Sequence, residues 1–319
     1  MDLRIFTEPQ QGASHADLLA VAKATRDGGF SAFFRSDHLL AMGDRSGLPG
    51  PSESFVNLGA IAAVVPDIRL GTLVTSATFR HPSMTAIAAA QIDDISGGRM
   101  ELGIGTGWYE AEHTAYGLPF GSSFGERFAR LTEQLEVITG LWATPLGESF
   151  EHTGTYYNLA GAPGLPKPAQ TDQQGRPRVP IIIGGGGPKK TPALAARFAD
   201  EFNIGFRDLA FSSTQIGRVR SACEEAGRDP DSLVYSTAHP VCVGADEAEF
   251  ASRAAAIGRE PADIRGSSPF AGTVHEVVDK MSQWAAVGVQ RSYLQLLDLA
   301  DLDHIALLSA EVLPAVRDL

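Results

Sequence analysis

The chain has 319 residues, of which 44% are hydrophobic and 20% are charged, a composition typical of a folded globular protein. Its formal net charge of −12 repels nucleic-acid phosphates and anionic membrane surfaces, which argues against both as partners. The two cysteines, Cys223 and Cys242, are too few for a disulfide framework, so we expect a cytoplasmic protein. The amino terminus enters a strand-like run without an apolar signal segment, and no apolar run approaches the ~20 residues of a membrane span.

Short β-branched and apolar runs alternate along the chain with segments of helical periodicity, a pattern that indicates βαβ units around a parallel sheet. Strands are predicted at residues 3–8, 30–36, 68–78, 100–104, 179–183, 201–205, 233–243 and 292–297. Helices are predicted at residues 14–27, 53–65, 82–95, 124–142, 188–199, 212–227, 245–258, 273–287 and 301–316.

Eight such units predict one domain over residues 1–319, an α/β fold of the (β/α)8 TIM-barrel type, because an open sheet of eight strands would need its edges protected. Residues 144–178 are rich in turn residues and prolines, and we expect an insertion between strands four and five that packs on the barrel. Residues 259–270 are predicted to form a loop. Ligands and catalytic groups of such barrels lie at the carboxyl ends of the strands.

Four consecutive glycines, Gly184 to Gly187, follow the predicted fifth strand and precede a helix. Bare backbone N–H groups next to a helix N-terminus can cradle a phosphate. Lys189 and Lys190 would add cationic donors for a phosphate or carboxylate. The alternative is an ordinary flexible turn with solvated lysines.

The fourth strand ends in Gly-Ile-Gly-Thr-Gly-Trp, from Gly103 to Trp108. A dinucleotide fingerprint would need glycine where Trp108 stands and a helix opening at once, so a Rossmann site is not predicted. The glycines could let a flat ring approach the backbone, with Trp108 as one wall of the pocket. The alternative is a strand-end turn with a core tryptophan.

Asp37 and His38 follow the second strand and would supply a hydrogen-bond acceptor and a titratable imidazole at the barrel mouth. A lone histidine can equally be structural. Glu110 is expected to be a solvated residue at the start of a helix. The eight histidines include no pair at metal-ligand spacing, and no C-x-x-C occurs, so no metal site is predicted.

Taken together, these motifs resemble the bacterial luciferase-like superfamily over roughly residues 3–205. The resemblance rests on Ser36-Asp37-His38, Arg69 to Val74, Phe79 to Pro82, Ile95 to Arg99, Gly103 to Trp108, Glu112-His113-x-x-Tyr116-Gly117, Pro166 to Pro168 and Pro180 to Gly187. Within the superfamily the chain looks most like the actinobacterial branch of oxidoreductases that use coenzyme F420. The resemblance implies that a 5-deazaflavin exchanges hydride with a small organic substrate.

The resemblance also implies site residues. Asp37 and Ser76 would contact the deazaflavin head group, His38 would be the catalytic proton donor or acceptor, and Leu73–Val74 would be a non-proline cis peptide behind the central ring. The cofactor-binding residues implied in full are Asp37, Leu73, Val74, Ser76, Thr106, Gly107, Trp108, Glu112, Gly185, Gly186, Gly187 and Lys189. A homodimer formed by helices near strands two and three is implied as well.

Two other functions fit the same scaffold. One is an FMN-dependent monooxygenase, in which reduced flavin activates dioxygen. The other is a barrel that only binds the cofactor or has lost it. The sugar-phosphate-oxidising members carry a catalytic glutamate where this chain has Trp108, which argues against that particular reaction. The sequence leaves the substrate open.

Overall fold

Eight parallel strands close into a barrel in the computed structural model of the chain, which describes residues 1–319. The strands in chain order are β1 (Asp2–Thr7), β2 (Ala32–Arg35), β3 (Arg69–Ser76), β4 (Met100–Gly105), β5 (Phe150–Thr153), β6 (Asn158–Ala162), β7 (Ile181–Gly184), β8 (Glu201–Gly205), β9 (Val234–Gly244), β10 (Phe270–Thr273) and β11 (Arg291–Leu296). The barrel order is β11-β1-β2-β3-β4-β7-β8-β9, and the pairing of β9 with β11 closes it. The predicted TIM barrel is confirmed.

Helices surround the barrel. They are α1 (His15–Asp27), α2 (Ser54–Val64), α3 (Pro82–Ser96), α4 (Glu110–Tyr116), α5 (Phe124–Ala143), α6 (Lys190–Phe198), α7 (Leu209–Glu225), α8 (Glu247–Ala256), α9 (Pro261–Ser267), α10 (Val274–Ala286), α11 (Leu302–Leu307) and α12 (Leu313–Val316), with a π-helical turn between the last two. None of them combines the length and the apolar character needed to cross a membrane.

Local capping signals explain why several predicted helix ends agree with the structure. The Ser14 hydroxyl accepts the backbone N–H of Asp17, whose carboxylate accepts the Ser14 N–H in return, which satisfies two of the free donors at the start of α1. Pro82 opens α3, where the missing N–H costs nothing. The Glu53 carboxylate accepts the Val56 N–H at the start of α2.

The prediction of a loop over residues 259–270 is wrong. The segment contains α9, and Phe270 begins β10, which pairs in parallel with β9 from Val241 onward. Burial stabilises these short elements, because Ile264 and Phe270 are 3% and 0% exposed. A seven-residue helix and a four-residue strand are too short to give a clear periodic pattern in sequence.

Residues 144–178 lie between β4 and β7 and hold the antiparallel pair β5–β6. The Glu133 carboxylate on α5 accepts the backbone N–H groups of Thr155, Tyr156 and Tyr157 in the turn between these strands. The Lys167 ammonium donates to the Leu141 carbonyl at the end of α5. Helix α5 therefore holds both the hairpin and the segment after it.

Two layers of side chains fill the barrel below its carboxyl-terminal mouth. At the amino-terminal end, Arg4 pairs with Glu101 at 2.7 Å, and Arg291 pairs with Glu201. Next to these ion pairs packs an apolar cluster made of Phe6, Ala32, Phe34, Leu73, Ile182, Ala238 and Tyr293. The space for a ligand consequently lies at the mouth, where the loops after the strands converge.

Candidate functional site

A cavity of about 370 Å³, here called the smaller cavity, lies at the carboxyl ends of the barrel strands. It brings together residues from the ends of β1, β2, β3, β4, β7 and β8. The predicted site residues in its lining are Asp37, His38, Leu73, Val74, Ser76, Thr106, Gly107, Trp108, Glu112, Gly185 and Gly186. Gly187 and Lys189, predicted with them, lie outside this lining.

Strand β3 is irregular where it borders the smaller cavity. The predicted cis peptide between Leu73 and Val74 is present, and the register against β4 shifts between Thr72 and Thr75. A Cβ atom on Gly103 would lie 2.1 Å from the Thr72 carbonyl oxygen. The glycines of β4 therefore make room for the irregular backbone of β3, which is a different reason for the Gly-x-Gly pattern from a nucleotide fingerprint.

Asp37 is an ionised residue in the wall of the smaller cavity, where it holds Thr75 and Arg80 by hydrogen bonds. Its side chain is buried, and its carboxylate accepts hydrogen bonds from the Thr75 hydroxyl at 2.6 Å and from the Arg80 guanidinium. Burial acts to raise the pKa of Asp37, but the charge and hydrogen bonds of Arg80 hold that pKa below its usual value. Since both oxygens are engaged, Asp37 positions its surroundings and is not available as a general acid.

His38 is oriented by Glu112. The imidazole Nδ1 lies 3.1 and 3.2 Å from the two Glu112 carboxylate oxygens, and one of these also accepts the Leu39 backbone N–H at 2.8 Å. An ionised carboxylate only accepts, so Nδ1 carries the proton and Nε2 is the nitrogen left for a ligand. The ring of Trp108 stands edge-on to His38, with centroids 5.8 Å apart.

Glu112 was predicted from the family resemblance as a cofactor-binding residue. In the structure it is buried and lines the cavity, and its hydrogen bonds go to His38 and Leu39. The two partners are separated by 74 residues in sequence. The carboxylate-imidazole pair is therefore an arrangement that sequence spacing did not reveal.

A relay of hydrogen bonds fixes which way the Ser76 hydroxyl points. His113 Nδ1 is 2.9 Å from the Tyr109 carbonyl oxygen, so Nδ1 donates and Nε2 accepts. Nε2 then accepts the Thr78 hydroxyl at 2.6 Å, and the Thr78 oxygen in turn accepts the Ser76 hydroxyl at 2.5 Å. With a neutral His113 ring, the Ser76 oxygen therefore acts as an acceptor; it takes the Thr78 backbone N–H at 3.4 Å and has acceptor capacity left for a donor atom of a ligand.

The glycine turn after β7 offers free backbone donors. The amide N–H groups of Gly185, Gly186 and Gly187 make no hydrogen bond within the protein, whereas the carbonyl oxygens of Gly185 and Gly187 accept the Gln215 side-chain amide at 3.3 and 2.9 Å. Helix α7 thus fixes the turn through its carbonyl groups and leaves its N–H groups for a ligand. Gly185 and Gly186 are exposed, and the nearby N-terminus of α6 favours an anion that accepts hydrogen bonds from these N–H groups.

Sequence reasoning missed three residues at the mouth. Glu8 follows β1, and Phe206 and Arg207 follow β8. All three line the smaller cavity and also a second cavity that opens beside it. Burial raises the pKa of Glu8. Phe206 has φ of +57° and is 53% exposed. Their position directly after barrel strands is the signal that could have found them.

The chain matches known proteins at three levels. The family model described as luciferase-like monooxygenase matches residues 1–307. F420-dependent glucose-6-phosphate dehydrogenase from Nakamurella multipartita is 35% identical over 224 residues, which is 68% of this chain and 61% of that protein. Pyrimidine monooxygenase RutA from Escherichia coli (strain K12) is 33% identical over 209 residues, which is 63% of this chain and 50% of that protein. The matches therefore span between half and about three fifths of these curated relatives.

Among solved structures, an F420-dependent secondary alcohol dehydrogenase in complex with an F420-acetone adduct superposes with a TM-score of 0.81. The alignment covers 99% of each chain at 19% sequence identity. A likeness at this identity establishes the barrel fold and leaves the chemistry to the site itself.

Proposed function

Because the chain belongs to the luciferase-like monooxygenase family, we propose that it is an oxidoreductase that binds coenzyme F420 in the smaller cavity. In this proposal hydride passes between the deazaflavin and a small organic substrate. The main support for this proposal is that one cavity is lined by the His38–Glu112 pair, the irregular end of β3 and the glycine turn. The F420-dependent relative supports the choice of cofactor.

The residues present fit such a cofactor. The free N–H groups of the glycine turn would hold its phosphate, with Lys189 nearby as an unpaired cation. The Ser76 acceptor would face a ring N–H. A Cβ atom on Gly107 would lie 2.3 Å from the Ser76 oxygen, so only glycine fits here. Without a side chain, the Gly107 backbone could lie close to the ring of the cofactor. When bound, F420 supplies the centre that gives or accepts the hydride.

His38 would handle the proton of the substrate. His38 lines the smaller cavity, and Glu112 engages its Nδ1, which leaves Nε2 as the nitrogen that can accept a proton. Glu112 would stabilise the imidazolium after transfer, as a buried carboxylate does for a catalytic histidine. Hydride chemistry resides in the cofactor, so the protein contributes orientation and this proton transfer.

The substrate named for the curated relative is not carried over to this chain. The match covers 61% of that protein, and Trp108 stands where sugar-phosphate-oxidising members carry a catalytic glutamate. Trp108 is 66% exposed and stacks on Tyr109 with ring centroids 5.3 Å apart. Its indole closes one side of the cavity mouth with an apolar surface instead of a carboxylate.

An FMN-dependent monooxygenase is the second candidate, because the pyrimidine monooxygenase relative matches with nearly the same identity. A titration of the protein with F420 and with FMN separates the two, followed by tryptophan fluorescence quenching. The proposal expects saturable F420 binding at least about ten-fold tighter than FMN binding. Tighter FMN binding would support the monooxygenase, and binding of neither cofactor would support a barrel without redox function.

The proton role of His38 has its own test. Once a substrate is found by screening F420 turnover against small alcohols, aldehydes and enones, His38→Ala should lower kcat about 100-fold or more while the F420 Kd stays within about two-fold. His275→Ala is the control, since His275 is exposed on α10. Unchanged turnover in His38→Ala would remove His38 from the proton transfer.

A further inference from the structure

A second cavity, of about 1150 Å³ and here called the larger cavity, opens beside the smaller one at the same end of the barrel. The two cavities share Glu8, Phe206 and Arg207 in their linings. A molecule in the larger cavity therefore borders a molecule in the smaller cavity at these three residues. Its volume is ample for a small organic ligand, because the pockets that bind such ligands typically measure about 300–1,000 Å³.

One wall of the larger cavity is cationic. The lining residues between positions 259 and 284 include three cations and no carboxylate. Arg265 is paired with Glu247 and Glu276. Arg259 and Lys280 are exposed and form no salt bridge or side-chain hydrogen bond. In a chain of net charge −12, two unpaired cations on one cavity wall indicate an anionic ligand.

The carboxylates of the larger cavity lie outside this wall. Glu8 lies at the junction with the smaller cavity, and the other three, Asp17, Asp208 and Asp298, have backbone partners. Asp17 accepts the Ser14 backbone N–H, Asp208 accepts the Phe211 N–H, and Asp298 accepts the Ala300 N–H. These contacts are caps and turns that hold each acid against its own segment. None of the three forms an ion pair with the unpaired cations of the cavity.

The floor of the larger cavity is aromatic. His239 is 3% exposed and lies 4.9 Å from the ring of Trp284 and 5.3 Å from that of Phe270, measured between centroids. Burial lowers the pKa of His239 to about 4, so the ring is neutral at pH 7. Its Nε2 has no hydrogen-bond partner in the protein. This floor suits a flat, weakly polar surface.

We propose that the larger cavity is the substrate site and takes an organic anion with a flat apolar body. The anionic group pairs with Arg259 and Lys280, and the body lies against His239 and Trp284. The reacting end of the substrate then extends past the shared residues Glu8, Phe206 and Arg207 into the smaller cavity, whose lining holds His38. This inference rests on the proposed function, which places the cofactor in the smaller cavity.

Calorimetric titration with 2-naphthoate and its uncharged isostere 2-naphthamide tests the proposal, on the full chain with and without F420. Wild-type protein should bind 2-naphthoate more tightly than 2-naphthamide. Arg259→Gln and Lys280→Gln should each weaken 2-naphthoate binding about three- to five-fold, and the double variant about ten-fold or more, since partly exposed ionic contacts have this size. Binding of 2-naphthamide should not change.

Lys23→Gln is the matched control, because Lys23 is an exposed cation on α1 outside both cavities. The F420 Kd should stay within about two-fold in every variant. Equal affinity of the double variant and wild type for 2-naphthoate, or no binding of 2-naphthoate at all, would overturn the inference while F420 binding stands. Failure of F420 to bind would instead overturn the proposed function.

Discussion

Replacing Glu112 by glutamine separates two roles for this residue. The family resemblance implies a contact to the cofactor, whereas the structure gives its hydrogen bonds to His38 and Leu39. The carboxylate oxygen that accepts the Leu39 N–H at 2.8 Å has to stay an acceptor in Glu112→Gln. The new amide NH2 then faces Nδ1 of His38, at the position of the other oxygen 3.1 Å away. The retained oxygen is also 3.2 Å from Nδ1, so the substitution does not force one tautomer but shifts His38 toward the tautomer with the proton on Nε2.

The size of the effect follows from the kind of hydrogen bond that is lost. A bond to a charged partner contributes about 1.5–3 kcal/mol against about 1 kcal/mol for a neutral one. The side chain of Glu112 is 2% exposed, so solvent screens little of this difference. A loss of about 1–2 kcal/mol from the transition state predicts a kcat about five- to thirty-fold lower.

Four measurements check this prediction. The kcat of Glu112→Gln should fall while the F420 Kd and the melting temperature stay close to wild type. The 15N chemical shifts of His38 should report the change of tautomer. Glu110→Gln, two residues earlier and exposed, should change none of these. An F420 Kd about ten-fold weaker with unchanged kcat would refute the positioning role and restore the cofactor contact.

Ser76→Ala should weaken F420 binding about five-fold, because it removes the acceptor oxygen from the cavity. An unchanged F420 Kd in fluorescence titration would contradict the hydrogen-bond relay through Thr78 and His113. The buried ions of the barrel should govern acid unfolding. Burial acts to raise the pKa of Glu101, but the charges of Arg4, Arg69 and Arg291 lower this pKa to about 2. The ionised Glu101 therefore contributes to the free energy of unfolding above the ordinary carboxyl pKa. This contribution is lost as the pH falls toward 2. Urea unfolding from pH 5 to about 2.5 should therefore show a shallower loss of stability in Glu101→Gln, and an identical slope would argue against this ionised pair. The homodimer implied by the family resemblance is consistent with exposed apolar side chains on α2 and α3, among them Val56 at 74% and Met84 at 58%. Wild type should therefore sediment as a dimer and Met84→Glu as a monomer. A monomeric wild type would exclude the homodimer.

The sequence by itself determined the features that arise from local physics. Period-two and helical patterns located the barrel strands and most of the helices, and Ser14 and Pro82 marked helix starts because capping depends on neighbouring residues alone. The motif resemblance supplied His38 and the cis peptide at Leu73–Val74. Short elements escaped, as α9 did, because their stability comes from burying a single side chain such as Ile264.

Only the tertiary structure decided which groups meet. His38 and Glu112 come together because the barrel closes and brings the ends of β2 and β4 to one mouth. Closure likewise leaves Gly187 and Lys189 outside the lining of the smaller cavity and puts Glu8 and Arg207 at its junction with the larger one. Such contacts depend on strand register and loop path through the whole fold, which local periodicity does not encode.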